Sequence, residues 1–292
     1  MTQFKDKTLL VTGAAGHFGR LAVAELLDRG ATRIVAGTRD PSQFDDLAAR
    51  GVEVRRLDFD DAASMSAGFA GVDRALIIST VAHNRTAQQT AAVAAAKAAG
   101  VQHLVYTSAP NARPNASVGG IADHYWTEHA IADSGLDFTL LRNHIYADMT
   151  IVAAASALAS GQLFDATNGG GRNYVSREDT ARTAAGALLG ATGKEIHDVT
   201  GPAPVTQEQL AALLTQLTGK PVSRIGLTGE QLLGGLEAAG VPTFMAALLV
   251  AFDLDAAAGH HAITTDAVEH YSGRKPQALA DFLAANRAAL TA

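Results

Sequence analysis

No cysteine occurs in this chain of 292 residues. Its absence excludes a disulfide framework, a thiolate metal site and a cysteine nucleophile together. Positive charge is also scarce: 23 Lys and Arg stand against 29 Asp and Glu, for a net charge of -6. Phosphate backbones need a clustered basic face, and the chain has no dense basic run, so no nucleic-acid partner is expected. Long apolar runs are missing as well. Segments such as 151–159 and 244–252 fall well short of the roughly 20 residues that a bilayer span requires, so no membrane partner is expected. The stretch Met1 to Lys7 lacks the apolar region of a signal peptide, which makes the cytoplasm the expected location. There is no low-complexity linker and no long internal repeat beyond an alternation of strands and helices. Hydrophobic residues make up 48% of the chain, enough to fill a sizeable core.

The stretch that organises the rest is Leu9 to Arg20, Leu-Leu-Val-Thr-Gly-Ala-Ala-Gly-His-Phe-Gly-Arg. A short apolar run ends in a glycine-spaced turn, and a helical pattern rich in alanine and leucine follows through Leu27. This is the strand–turn–helix entrance of a dinucleotide-binding βαβ unit. Gly13 makes the tight turn, Gly16 lets a pyrophosphate approach the backbone, and Gly19 lets the helix pack closely. Exposed N–H groups near Ala14, His17 and Phe18, with the helix dipole behind them, then hold the phosphates. The spacing is G-x-x-G-x-x-G rather than G-x-G-x-x-G, so the flanking strand and helix carry much of the assignment.

Strands are expected at 33–39, 52–57, 74–79, 104–108, 138–142 and 196–199, with helices at 43–50, 62–69, 86–99, 124–134 and 177–189 between them; further on, a short strand is expected up to Ile225 and a last helix over 277–290. Such alternation predicts an α/β fold: a doubly wound parallel-sheet Rossmann domain with a smaller, mostly helical C-terminal domain. Residues 1–143 form the dinucleotide-binding domain and 172–200 return to it. Residues 201–292, with 144–171, form a small cap beside the carboxyl edge of the sheet, where open α/β sheets bind ligands.

The cofactor is read from strand ends. An NAD site places a carboxylate about 20 residues beyond the glycine motif. Here that position is Arg39, preceded by Thr38. A guanidinium grips a 2′-phosphate with two hydrogen bonds and a carboxylate repels it, so the expected cofactor is NADPH. Asp40 keeps NADH as a second guest, and Arg39 as a plain solvated strand end is the alternative. Asp58 and Phe59 stand where adenine would lie, one to accept from its amine and one to stack on it. Ser79 and Thr80 end strand four with small side chains beneath the cofactor.

Together the glycine turn, Thr38-Arg39-Asp40-Pro41, Tyr106-Thr107-Ser108, Ala132-Asp133-Ser134-Gly135 and Leu140-Leu141-Arg142-Asn143 resemble the atypical short-chain dehydrogenase/reductases of the NmrA-like group. Within it, the bacterial type 2 NAD(P)H:quinone oxidoreductases and the triphenylmethane dye reductases are the nearest in pattern. The resemblance runs through almost the whole chain, including the Gly219-Lys220-Pro221-Val222 turn. It implies sheet order 3-2-1-4-5-6-7, NADPH between the two domains, and hydride delivery to a quinone-like or dye-like small molecule. It also implies cofactor contacts from Tyr106, Thr107 and Asn143. A homo-oligomer is compatible with the sequence.

The catalytic residues depart from the family pattern. Relatives that reduce carbonyls use Tyr-x-x-x-Lys, in which the tyrosine donates a proton and the lysine lowers its pKa. This chain has Tyr125 and His129 at that spacing, whereas the quinone-reductase relatives keep the lysine and lack the tyrosine. Near pH 7 a histidine is only partly charged and activates a tyrosine more weakly. Ser108 ends strand five, where the larger family places a hydroxyl near the reacting carbonyl. Asn143, His144 and Tyr146 follow strand six and are expected to shape the nicotinamide and substrate pocket. His260-His261 are adjacent rather than one helical turn apart, with no accompanying carboxylates, so no metal site is expected. The alternative function is an NmrA-type redox sensor that binds NADP(H) without turning it over; a sugar-nucleotide epimerase would need the missing Tyr–Lys shuttle.

Overall fold

The computed structural model of the chain describes residues 3–82, 84–114 and 120–290; Met1 and Thr2 of the N-terminal stretch lie outside them. The first half alternates β1 (Thr8–Val11), α1 (His17–Asp28), β2 (Arg33–Thr38), α2 (Asp45–Ala48), β3 (Glu53–Arg56), α3 (Ala62–Phe69), β4 (Arg74–Ile77), α4 (Arg85–Ala98), β5 (His103–Ser108), α5 (Ile121–Ser134) and β6 (Asp137–Asn143). Beyond it come β7 (Ile145–Tyr146), α6 (Thr150–Ser160), β8 (Gln162–Asp165), β9 (Arg172–Val175), α7 (Arg177–Gly190) and β10 (Lys194–Val199). The remainder is β11 (Pro204–Val205), α8 (Gln207–Thr218), β12 (Ser223–Gly226), α9 (Gly229–Ala238), α10 (Thr243–Ala257), α11 (Ala267–Ser272), α12 (Leu279–Ala285) and α13 (Arg287–Leu290).

Seven strands form one parallel sheet in the order β3-β2-β1-β4-β5-β6-β10, the order that the resemblance implies. The order reverses between β1 and β4, which opens a crevice at their carboxyl ends. The central strands are buried along their whole length, as Thr8–Val11 and Arg74–Ile77 illustrate. Covered on both faces, they read as continuous apolar runs rather than alternating ones. On one face Val11, Leu76 and Val105 pack with α1, α7 and α11. On the other, Leu10, Ile77 and Tyr106 pack with Phe69, Val93 and Ile131 of α3, α4 and α5. Arg74 crosses the interior to give hydrogen bonds to the carbonyls of Leu188 and Ala191 at the end of α7, at 2.6 and 2.7 Å. Burial pulls its pKa down to about 10, and the helix dipole compensates the charge.

Three local expectations fail for identifiable reasons. The single helix expected over 43–50 is a 3-10 turn at Pro41–Gln43 followed by α2, because Phe44 leaves helical geometry to bury its ring in the core. The expected helix over 277–290 breaks at Asn286, which divides α12 from α13. The expected return of 172–200 to the main sheet begins only at α7: β9 pairs instead with β7 and β11 in a separate three-stranded sheet. A further pair, β8 with β12, went unseen at Gln162–Asp165. Among the described residues no helix is long and apolar enough to cross a membrane.

Candidate active site

The turn after β1 is built for close approach. Gly13 holds φ at +59°, a left-handed conformation that side chains disfavour. A Cβ at Gly19 would lie 2.4 Å from the Gly13 carbonyl oxygen and 2.7 Å from the Ala14 Cα, so only glycine lets α1 start this near the strand. Gly16 caps α1 without a side-chain hydrogen bond, and the first turn carries no acidic residue. The first N–H groups of the helix, with the positive end of its dipole, are therefore free for an anion. Ala14 is fully buried and its N–H is taken by the Gly37 carbonyl at 3.0 Å, while Phe18 packs in the core. Ala14 thus shapes the turn from behind, and so does the Phe18 ring, while the Phe18 backbone N–H stands in the first turn of α1. His17 is exposed at the mouth of the helix.

From this turn an open cleft of about 320 Å³ runs across the carboxyl ends of β1 to β4. Of the expected cofactor residues it brings together Gly13, Gly16, Arg39, Asp58, Phe59 and Thr80. Arg39 is exposed. Its neighbour Asp40 turns away: the carboxylate accepts from the Ser42 N–H at 3.1 Å and the Ser42 hydroxyl at 2.6 Å. The cleft is thus offered a guanidinium, not a carboxylate, at the ribose end. At the exit of β4, Thr80 donates from its N–H to Gln89 and from its hydroxyl to Gln88, both at 3.1 Å. Ser79 is tied to Thr107, whose hydroxyl accepts from the Ser79 N–H at 2.8 Å.

The expected catalytic residues divide between two faces of α5. His124, Thr127, Glu128 and Ile131 turn inward. Tyr125 and His129 lie on the other face, rings 4.3 Å apart between centroids, beside the half-exposed Trp126. One helical turn does bring Tyr125 and His129 together, but among the described residues no hydrogen bond joins either to Ser108. The Ser108 hydroxyl instead donates to Glu128 at 2.6 Å, and Arg142 clamps the same carboxylate at 3.0 and 2.7 Å. Tyr106 is not at the cleft either. It is fully buried, its oxygen 2.8 Å from His124 Nδ1. Burial drops His124 to about 3, so its neutral ring accepts from Arg85 at Nε2, 2.6 Å away, and donates from Nδ1 to the tyrosine oxygen. Burial correspondingly raises the Tyr106 hydroxyl.

After β6, the Asn143 amide donates to the Tyr146 oxygen at 3.3 Å. Burial raises the Tyr146 hydroxyl. The Arg177 guanidinium lies 5.0 Å above its ring. His144 is buried with Nε2 3.1 Å from Asp198 Oδ1.

A family model described as NAD(P)H-binding matches residues 13–190. The chain belongs to this NAD(P)H-binding family. It is 35% identical over 256 residues to quinone oxidoreductase 2 of Escherichia coli, covering 86% of this chain and 88% of that one. The crystal structure of the NADPH-dependent quinone oxidoreductase from Escherichia coli complexed with NADPH superposes with a TM-score of 0.90, at 31% identity over 96% of this chain and all of that one. The triphenylmethane reductase of a Citrobacter species has a TM-score of 0.86 at 29% identity, covering 97% and 99% of the two chains.

Within this NAD(P)H-binding chain, four polar residues escaped the sequence reading. Gln88 and Gln89 are buried in an alanine-rich helix whose polar positions look like a solvated stripe. Glu128 was legible: it sits at the inward spacing of α5, four residues from His124, close to an arginine that ends a strand. Arg177, the first residue of α7, joins the phosphate turn to the segment after β6. Its Nη1 is 3.2 Å from His17 Nδ1 and 3.5 Å from Asp148. No sequence signal announced that bridge.

Proposed function

We propose that the chain is an NADPH-dependent reductase that passes hydride to quinone-like or dye-like acceptors. The observation that carries the reading is the cleft itself, a bare helix N-terminus at one end and Arg39 at the other. The glycine cradle, which a Cβ at Gly19 would fill, fits a dinucleotide pyrophosphate. The names and likeness of the Escherichia coli and Citrobacter proteins support the acceptor class. Bound NADPH would supply a hydride. The N–H groups at the start of α1 hold its phosphates, Arg39 its 2′-phosphate, and Asp58 with Phe59 the adenine. Residues 144–171 and 201–292 serve as the part that closes over the acceptor and excludes water, so that the reacting atoms are held in line.

Purified protein mixed with NADPH and a panel of quinones and triphenylmethane dyes tests the reading by loss of the nicotinamide absorbance. Oxidation above background with at least one acceptor is expected. A second reading, a redox sensor that binds without turnover, is favoured by one observation: the Ser108 hydroxyl is committed to Glu128 rather than to Tyr125 or His129. Tight NADPH binding with no oxidation by any acceptor would select it.

A further inference from the structure

Buried polar atoms are almost always paired, and leaving one unpaired is costly. Three such atoms meet at the carboxyl edge of the sheet. His144 Nδ1 and both ring nitrogens of His261 have no hydrogen-bond partner among the described residues. Both rings are buried, at 2% and 0% exposure. They stand edge to face with centroids 6.2 Å apart. His144 comes from the end of β6 and His261 from the loop between α10 and α11. The other nitrogen of His144 is committed to Asp198 on β10 at 3.1 Å. A carboxylate accepts, so His144 Nε2 carries a hydrogen and Nδ1 is the working atom. This is an Asp–His dyad of the type that fixes a tautomer and supports a positive imidazolium.

We propose that His144, oriented by Asp198, is the proton donor to the reduced acceptor, and that His261 forms the opposite wall against which one acceptor oxygen lies. The inference rests on the reductase reading above. Bound NADPH would supply a hydride to one carbonyl oxygen of the quinone. As that O–H bond forms, the ring aromatises and an electron pair moves onto the other oxygen, which takes the proton as the His144 Nδ1–H bond breaks. A quinone, one hydride and one proton make one hydroquinone. The neutral His144 keeps its Nε2 hydrogen on Asp198 and regains the other from solvent after release.

The surrounding charges suit the assignment. Asp198 faces His144 from β10, and Arg142 lies near enough to Asp198 to feel its charge. Around His261 stand His144, Asp255 of α10, Arg172 of β9 and His260. Arg172 is paired with Asp253 and Asp255 with Arg113. Burial first, then the neighbouring His144, hold His261 down at about 4, so near pH 7 it is a neutral ring that can donate to an oxygen without competing for the proton.

His144→Gln and Asp198→Asn test this with NADPH and 1,4-naphthoquinone. In the wild type, kcat is expected to fall toward high pH; in His144→Gln that limb disappears and kcat drops by about a hundredfold or more, with the Kd for NADPH kept within about threefold. On the protein without cofactor, ¹⁵N-histidine NMR should show His144 protonated at Nε2, and adding NADP⁺ with 1,4-naphthohydroquinone should move its Nδ1 resonance. An unchanged kcat and pH limb in His144→Gln, or loss of the limb in Tyr125→Phe instead, overturns the proposal while the reductase reading stands. A wild type that oxidises NADPH with no acceptor brings both down. Should His144→Gln fail to bind NADPH, the more exposed Asp198→Asn decides: lower kcat with Kd retained supports the dyad, and unaltered kinetics refute it.

Discussion

Acid should unfold this protein well above the pH at which its carboxylates titrate. Three histidines are held neutral in the folded chain: His103 and His124 at about 3 and His261 at about 4, in each case chiefly by burial. Unfolded, each returns to about 6.5. The folded values are depressed, so their contribution is fully present above pH 6.5 and is lost as pH falls from there toward 3. Through most of that window the unfolded state holds about one more proton per histidine, which costs about 1.4 kcal/mol per pH unit for each. Between pH 6.5 and 5 this amounts to about 1.6 kcal/mol apiece, or about 5 kcal/mol for the three. Domains are stable by only about 5–15 kcal/mol, so the loss is a large share of the total. Urea unfolding at pH 7, 6 and 5, followed by circular dichroism, measures it directly. Replacing His103, whose Nε2 contacts Thr139 at 2.9 Å, with Gln should reduce the slope near pH 5 by about a third. A slope near pH 5 of no more than about 1.4 kcal/mol per unit would refute the reasoning, since one histidine alone would account for it.

The remaining predictions concern the cleft. Arg39→Ala should weaken NADPH by about tenfold to a hundredfold, the worth of a charge-assisted contact, and leave NADH nearly unchanged; equal losses in titrations of both would show that Arg39 does not read the 2′-phosphate. Gly19→Val should abolish measurable cofactor binding, because its Cβ would meet backbone at 2.4 Å; retained NADPH affinity would mean that the turn is not the phosphate cradle. Tyr125→Phe should lower kcat by less than about tenfold, in keeping with its place on the outer face of α5; near-complete loss of turnover would restore a tyrosine acid.

The sheet was legible because parallel strands buried on both faces leave short β-rich runs between glycine-closed helices. Positions 33–38, 62–69 and 177–189 needed only local pattern, and the glycine spacing fixed where α1 begins. In the C-terminal part β8 was not legible, whereas the short strand ending at Ile225 was; their pairing is decided by packing around Leu163 and Val222. The same division runs through the site. Arg39, Asp58, Phe59 and Thr80 are strand-end residues, and topology alone sends strand ends to one crevice. Tyr106 also stands in a strand, but its ring points into the layer below, where His124 meets it. Arg177 acts through a partner 160 residues away, a separation at which sequence carries no geometric signal.

The distribution of polar groups on α5 decides how the chemistry should be sought. In the family pattern that helix presents a tyrosine and a lysine as one unit. Here the inward positions hold His124 and Glu128 instead, and each is already engaged, one between Arg85 and Tyr106 and the other between Ser108 and Arg142. Ser108 gives its hydrogen to a carboxylate that Arg142 also clamps, so toward an acceptor it offers lone pairs rather than a proton. A hydroxyl in that state orients a hydroquinone O–H or a nicotinamide amide; it does not protonate an oxygen. The proton must then come from solvent or from a group not on α5, and His144 carries a ring nitrogen with no hydrogen-bond partner among the described residues. Glu128→Gln separates the two roles. It frees Ser108 to donate, which should change KM for the acceptor while the alkaline limb of kcat stays where His144 sets it.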